Sequence, residues 1–110
     1  MFYQTSNKLA MEDIRSLAAG SVVAGYTAVG SAFAFPINCI VIQNLTDATV
    51  MFSISGGAAS DKLPLAANGM IVLDLSANGG YFPKGTVVSV KRVGTPTTGN
   101  IYVSTIYRVW

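Results

Sequence analysis

The chain has 110 residues with seven Lys or Arg, five Asp or Glu and no His, giving a net charge of +2. That length fits one domain with one core; its 11% charged share, against 51% hydrophobic, is too thin a charged skin for a lone solvated monomer and implies surfaces covered by other subunits. Basic side chains are spread along the whole length, without the clustered Lys and Arg of a DNA- or RNA-binding protein, and the single Cys39 excludes an internal disulfide and a cysteine-based metal site.

Residues 1–15 differ from everything after them. Met1-Phe2-Tyr3-Gln4-Thr5 lacks the basic start and continuous apolar core of a secretory signal, so the chain is expected to begin its life inside the cell. Lys8, Glu12, Asp13 and Arg15 follow on a segment without strand alternation. Ser6 could cap a short helix carrying Leu9, Ile14 and Leu17 on one side. An extended arm docking on a neighbouring subunit is the preferred expectation, because so short a helix is marginal by itself. Phe2, Tyr3, Leu9 and Ile14 are then the candidate contact residues of that arm.

From Ser16 to Thr46 no side chain is charged. A membrane helix would want good helix formers at its centre, whereas here Gly20, Gly25 and Gly30 recur among Ser and Thr, with Pro36 near the end. Past Pro36 the pattern becomes β-like, and the run is read as strands, not as a membrane span. Expected strands are 17–23, 26–33, 37–44, 49–55, 70–75, 86–93 and 101–109, with a sandwich domain over 16–110. Leu45-Thr46-Asp47 reads as a hairpin, Ser55-Gly56-Gly57 as a flexible strand end, and Asn68-Gly69 as a turn able to take positive φ. About seven short strands with such spacing predict an all-β fold, a single antiparallel β-sandwich of jelly-roll type.

Alternation assigns faces. Val50, Phe52 and Ile54 share one side of their strand, Ile71, Leu73 and Leu75 one side of theirs, and Val88 and Val90 oppose Ser89 and Lys91. The last strand is apolar on both sides: Ile101, Val103, Tyr107 and Val109 face away from Tyr102, Ile106 and Trp110. Either a neighbouring subunit covers Tyr102, Ile106 and Trp110, or this is a central strand with amphipathic Tyr at its margins. Cys39, inside an apolar strand, reads as a small buried hydrophobe.

Chemistry is not visible. Without His, acid–base work would fall to carboxylates, Lys or Tyr, and Glu12, Asp13, Asp47, Asp61 and Asp74 form neither a glycosidase-type pair nor a D-x-D cation cluster. Lys84-Gly85-Thr86 has phosphate-loop residue types in the wrong order, and Asn44-Leu45-Thr46 is a formal glycosylation sequon that reads better as turn chemistry. No catalytic residue, cofactor or metal is expected, and the chain is read as a non-enzyme.

The run Ile40–Ile54, the Leu63-Pro64-Leu65-Ala66-Ala67-Asn68-Gly69 segment, Val72-Leu73-Asp74-Leu75, Phe82, Lys84-Gly85-Thr86 and Gly99-Asn100-Ile101-Tyr102-Val103-Ser104 together resemble small virion structural proteins of tailed bacteriophages. The resemblance covers about two-thirds of the chain and departs from that group by a shorter loop at Gly56–Asp61. It implies a β-sandwich present in many symmetric copies (a trimer or a ring) on the virion, decorating the head or placed at the head–tail junction. Its partners would be itself and capsid, portal or tail subunits. A second expectation concerns Tyr81-Phe82: the aromatic pair in the 78–85 loop could form a platform for a carbohydrate- or cell-surface-binding module of a phage fibre, but the preferred reading is that Phe82 plugs the end of the sandwich.

Overall fold

Alternation is cleanest in three segments, and these build the larger of two sheets. The computed structural model describes residues 8–54 and 63–109. Nine strands occur in chain order: β1 (Leu9–Met11), β2 (Arg15–Ala18), β3 (Thr27–Ala28), β4 (Cys39–Thr46), β5 (Val50–Ser53), β6 (Leu63–Leu65), β7 (Gly69–Asp74), β8 (Ser89–Arg92) and β9 (Gly99–Arg108). Two short 3-10 turns lie at Ala19–Ser21 and Ser76–Asn78. One sheet runs β1-β9-β4-β7, with β2 also paired to β9; the other runs β3-β8-β5-β6, and every pairing is antiparallel.

Leaving aside β1, the two orders are 2-9-4-7 and 3-8-5-6. Successive strands alternate between sheets except at β5–β6, which is the double Greek-key arrangement of a jelly roll. The expected all-β sandwich is therefore the observed one. Its core is the filling between the sheets: Ile40 and Ile42 from β4, Ile101 and Val103 from β9, Val50 and Phe52 from β5, Val88 and Val90 around β8, and Val29, Phe33 and Ile37 from the long β3–β4 crossover. All are essentially inaccessible to water, and deleting any of these larger side chains would leave a cavity costing about 2–5 kcal/mol.

Several expectations change. Leu45-Thr46-Asp47 is not a hairpin, because β4 and β5 lie in different sheets. Asn44 explains the crossing: fully buried, its Nδ2 donates to the carbonyls of Ala48, Leu65 and Ala66 at 2.9, 3.0 and 3.1 Å, and its Oδ1 accepts from the Thr46 N–H and hydroxyl. These bonds hold the chain as it leaves one sheet for the other, at the place where a hairpin would have used ladder bonds. Strands expected over 17–23 and 26–33 are shortened to β2 and β3; β2 yields to the 3-10 turn at Ala19, and beyond β3 only isolated bonds continue, Val29 N–H to Val88 O and Phe33 N–H to Thr86 O. β1 and β6, three residues each, have no counterpart among the expected strands. The helical option for the N-terminal segment does not hold over Leu9–Met11, which is strand. Phe2, Tyr3, Ser6, the Ser55-Gly56-Gly57 strand end, the Gly56–Asp61 loop and Trp110 lie outside the described residues.

Turn chemistry at two further places is as the residues suggest. Asn68, not Gly69, takes the positive φ (61°) before β7, as Asn does with little penalty. Gly99 sits at φ +88°, and a Cβ there would collide with the Leu45 carbonyl oxygen, so no side chain fits.

Two substitutions test this account. Asn44→Ala removes the buried amide that serves the Ala48, Leu65 and Ala66 carbonyls and the Thr46 N–H and hydroxyl, and is expected to cost about 3 kcal/mol, read as a lowered denaturant midpoint with an unchanged slope. Gly99→Ala forces both φ strain and a backbone clash at the β9 entry, and is expected to abolish folded expression or to lower the midpoint further still.

Candidate functional site

The residues with the most developed polar geometry are Glu12 and Arg15, and a β-bulge brings them together. Met11 pairs with Ile106 and Arg15 with Val103, so four steps along the edge match three along β9. The extra residue turns Glu12 and Arg15 toward the same side, beneath the β3–β4 crossover. Arg15 Nη2 lies 2.7 Å from Glu12 Oε1, with both side chains only 7% exposed. Arg15 Nε donates to Ser31 O at 2.7 Å, Nη2 to Ala32 O at 3.2 Å and Nη1 to the Thr105 hydroxyl at 3.2 Å. That hydroxyl in turn donates to Glu12 Oε1 at 3.0 Å, and the Ala34 N–H donates to Glu12 Oε2 at 2.9 Å. The guanidinium also lies over the Phe33 ring, 5.2 Å from its centroid. Gly30, at φ +73°, leaves room for the Arg15 stem, which would sit 2.7–2.8 Å from a Cβ there. Burial alone would raise the Glu12 pKa; hydrogen bonds from Arg15, Ala34 and Thr105, with the Arg15 charge, outweigh it and hold the carboxyl below its ordinary value.

Nothing in the residue types marks this pair as a unit, because Glu and Arg three apart suit an exposed helix face equally well. Each is saturated by fixed partners, and among the described residues no buried side-chain polar atom lacks one.

The second feature is the outer face of the larger sheet. Cross-strand partners share a face, so the register places Leu9, Met11, Ser16 and Ala18 beside Asn100, Tyr102, Ser104, Ile106 and Arg108, then Cys39, Val41, Gln43 and Leu45, then Met70, Val72 and Asp74. Only Arg108 and Asp74 are charged, and both stand at one end. Met70 (59%) and Val72 (52%) are well exposed, as are Leu9, Met11 and Leu45. Of the expected contact residues, Tyr102 and Ile106 lie on this face half-buried, Leu9 lies at its margin, and Ile14 is exposed within the bulge. The structure therefore gathers Leu9, Tyr102 and Ile106 on one surface. β9 has β4 on one side and β1 and β2 on the other, so it is a central strand with Tyr102 on its outer side.

Tyr81 and Phe82 do not form a joint platform. Phe82 exchanges backbone bonds with Ile37 at 2.7 and 2.9 Å and packs against the core, closing one end of the sandwich. Tyr81 points outward, 58% exposed, over a cavity of about 390 Å³ lined by Phe35, Pro36, Asn38 and Arg108. Phe35 stacks on Tyr107 with ring centroids 4.1 Å apart. The Asn38 amide is engaged on both sides, donating to Gly80 O and accepting from the Arg108 N–H.

Two other carboxylates, Asp47 and Asp74, do local work. Asp47 accepts from the Thr97 N–H and hydroxyl and the Thr98 N–H, which ties the loop before β9 to the β4–β5 turn. These bonds, the Thr97 hydroxyl first, lower its pKa to about 2. Asp74 accepts from the Ser76 N–H and hydroxyl, which lowers its pKa. Among the described residues no group of three His, Cys, Asp or Glu could hold a metal ion, and no helix is long and apolar enough to cross a membrane.

Fold and surfaces together define a jelly-roll domain with one largely uncharged sheet face. No protein-family model matches the chain, and no curated protein matches it. Among solved structures it is similar to a chain of Bacillus endospore appendages, described as "a novel family of disulfide-linked pili". The likeness covers 100% of this chain and 99% of that one at a TM-score of 0.56 and 8% identity, and it is a likeness of fold.

Two measurements probe these sites. The lowered pKa values of Glu12 and Asp47 mean that their stabilisation is fully present above the unfolded carboxylate values of about 4 and is lost as pH falls through the lower folded values. The melting temperature is expected to drop on acidification from about pH 4 toward pH 2. Glu12→Gln should melt lower at pH 7, because removing one member of a buried pair costs about 3–5 kcal/mol, and should show a shallower acid slope. The Cys39 thiol is pushed up first by burial and then by the Asp74 charge. Iodoacetamide at pH 8 is expected to alkylate Cys39 more slowly than a cysteine in a short peptide, and Asp74→Asn to speed the reaction.

Proposed function

We propose that this chain is a non-enzymatic structural subunit of a tailed-phage virion, made in the host bacterial cytoplasm. In this reading it self-associates and attaches to the head or to the head–tail junction. The observation that carries the proposal is the outer face of the larger sheet, where Met11, Ile106, Cys39, Val41, Val72 and Met70 form a continuous band with both charges confined to one end. A face of this kind suits permanent burial against other subunits. The resemblance in the 37–107 region supplies the phage context and implies a β-sandwich, which is the fold found. The Bacillus neighbour, described as a pilus protein, supports use of the same fold in assembled structures.

Capsid, portal or tail subunits are the partners this reading requires. An anchoring role for the N-terminal arm is best placed on residues 1–7. Residues 9–11 are already committed to β9 of the same chain, and Glu12 and Arg15 to the buried node. Removing 1–15 would therefore dismantle the sheet edge, whereas removing 1–7 takes away none of the described residues.

Tyr81 favours the second reading, a carbohydrate- or cell-surface-binding module of a fibre, because an exposed aromatic ring beside a cavity is a common sugar platform. The two readings separate experimentally. The structural reading expects a defined multimer by sedimentation, particle incorporation lost on deleting residues 1–7, and silence on glycan arrays. A monomer at all concentrations, or normal incorporation of the truncated chain, speaks against self-association or arm anchoring respectively. Glycan binding that disappears in Tyr81→Ala would move the assignment to the module.

A further inference from the structure

A jelly roll presents four strand edges, and three of them are blunted here. β3 is two residues long, β6 carries Pro64 at its centre, and the β1–β2 edge is broken by the bulge with Glu12 and the exposed Asp13. Short length, proline, bulges and charge are the usual devices against edge pairing. β7 has neither short length, proline nor bulge, and its one charge, Asp74, is at its last residue: it runs six residues, Gly69–Asp74, with β4 as its one paired neighbour among the described residues.

The hydrogen-bond phase of β7 follows from its end. The Leu75 N–H donates to Asn38 O at 2.8 Å, one step beyond the Cys39–Asp74 pair. Bonding in an antiparallel ladder alternates, so Leu73 and Ile71 bond inward to β4, and the N–H and C=O groups of Met70, Val72 and Asp74 point away from the sheet. The edge is therefore a row of three outward donor–acceptor residues centred on Val72.

We infer that β7 pairs antiparallel with β7 of a second copy across a twofold axis at Val72, joining the two larger sheets into one. This deepens the self-association proposed above and rests on it. The strand is its own complement in that register: Val72 meets Val72 of the second copy, Met70 meets Asp74, and Asp74 meets Met70, each pair exchanging two hydrogen bonds. On the core side, half-buried Ile71 and Leu73 meet Leu73 and Ile71. On the outer side, Val72 and Met70 continue the uncharged band from one copy into the next. The one charge on the strand is not opposed by its like, and Asp74 is already bonded to Ser76. Such an isologous contact closes at two copies; higher rings or shells use other faces.

Directly opposed residues in a hydrogen-bonded pair have Cα atoms about 5.5 Å apart, within disulfide reach. In a Cys39→Ala background, Val72→Cys is expected to form a disulfide-linked dimer on mild oxidation, while Met70→Cys, facing Asp74, is not. Val72→Lys sets two cations opposite each other and should halve the sedimentation mass of the pair, with β-type circular dichroism unchanged; Val72→Pro, which deletes the outward N–H, should do the same. Crosslinking by both cysteines or by neither, or a wild-type mass in both Val72 variants, overturns the β7 contact while a multimeric wild-type protein leaves self-association standing. A monomeric wild-type protein overturns both.

Discussion

A buried ion pair ties the bulged edge of the larger sheet to the β3–β4 crossover, and much of the architecture depends on it. Glu12 and Arg15 sit where the bulged first strands, β9 and the β3–β4 crossover converge. Burying two charges is costly, and an incomplete shell would make the node a net loss. Here the shell is complete: Arg15 reaches two backbone carbonyls, a hydroxyl and the carboxylate, and Glu12 receives an N–H, a hydroxyl and the guanidinium. The carbonyls of Ser31 and Ala32 belong to an irregular crossover that has no ladder of its own, so Arg15 supplies the donors a strand would have supplied. Gly30 is needed at that spot because its neighbour is the Arg15 stem.

Asn44 does the equivalent work at the other end of β4. One buried amide satisfies carbonyls from the β4–β5 turn and from the β6 end, and with Asp47 clamping Thr97 and Thr98 it organises that end of the sandwich. In both places a side chain takes over hydrogen bonding where the chain changes sheets. A jelly roll changes sheets at nearly every connection, so such substitutes are a general requirement of this topology.

This is also why some of the structure is legible in the sequence and some is not. β4, β7 and β9 announce themselves as apolar, β-prone runs of six residues or more. β1 and β6 are too short to show a period, and β6 contains a proline that argues against a strand unless the strand is an edge. The turn at Leu45–Asp47 has hairpin chemistry, but local chemistry does not say which sheet the next strand joins; the buried Asn44 amide decides it. Glu12 and Arg15 read in sequence as solvated charges on an arm, since a bulge is invisible to spacing rules. Phe82 reads as the plug of the sandwich end and packs there, and because adjacent residues in extended chain point to opposite sides, Tyr81 is left outside.

The uncharged stretch from Ser16 to Thr46 and the uncharged sheet face are related but not identical. Much of that stretch is spent on the core, through Val22, Val29, Phe33, Ile37, Ile40 and Ile42, and on the crossover that wraps Arg15. Only Ser16, Ala18, Cys39, Val41, Gln43 and Leu45 from it reach the outer face. The rest of that face comes from β7 and β9, distant in sequence, whose charges are placed at one end. A segment lacking charge can be explained by burial within its own fold. A face assembled from separate segments and still lacking charge is a different matter: Met70, Val72 and Tyr102 stand on the outer side of the sheet, away from the core, and the proposed self-association rests on them.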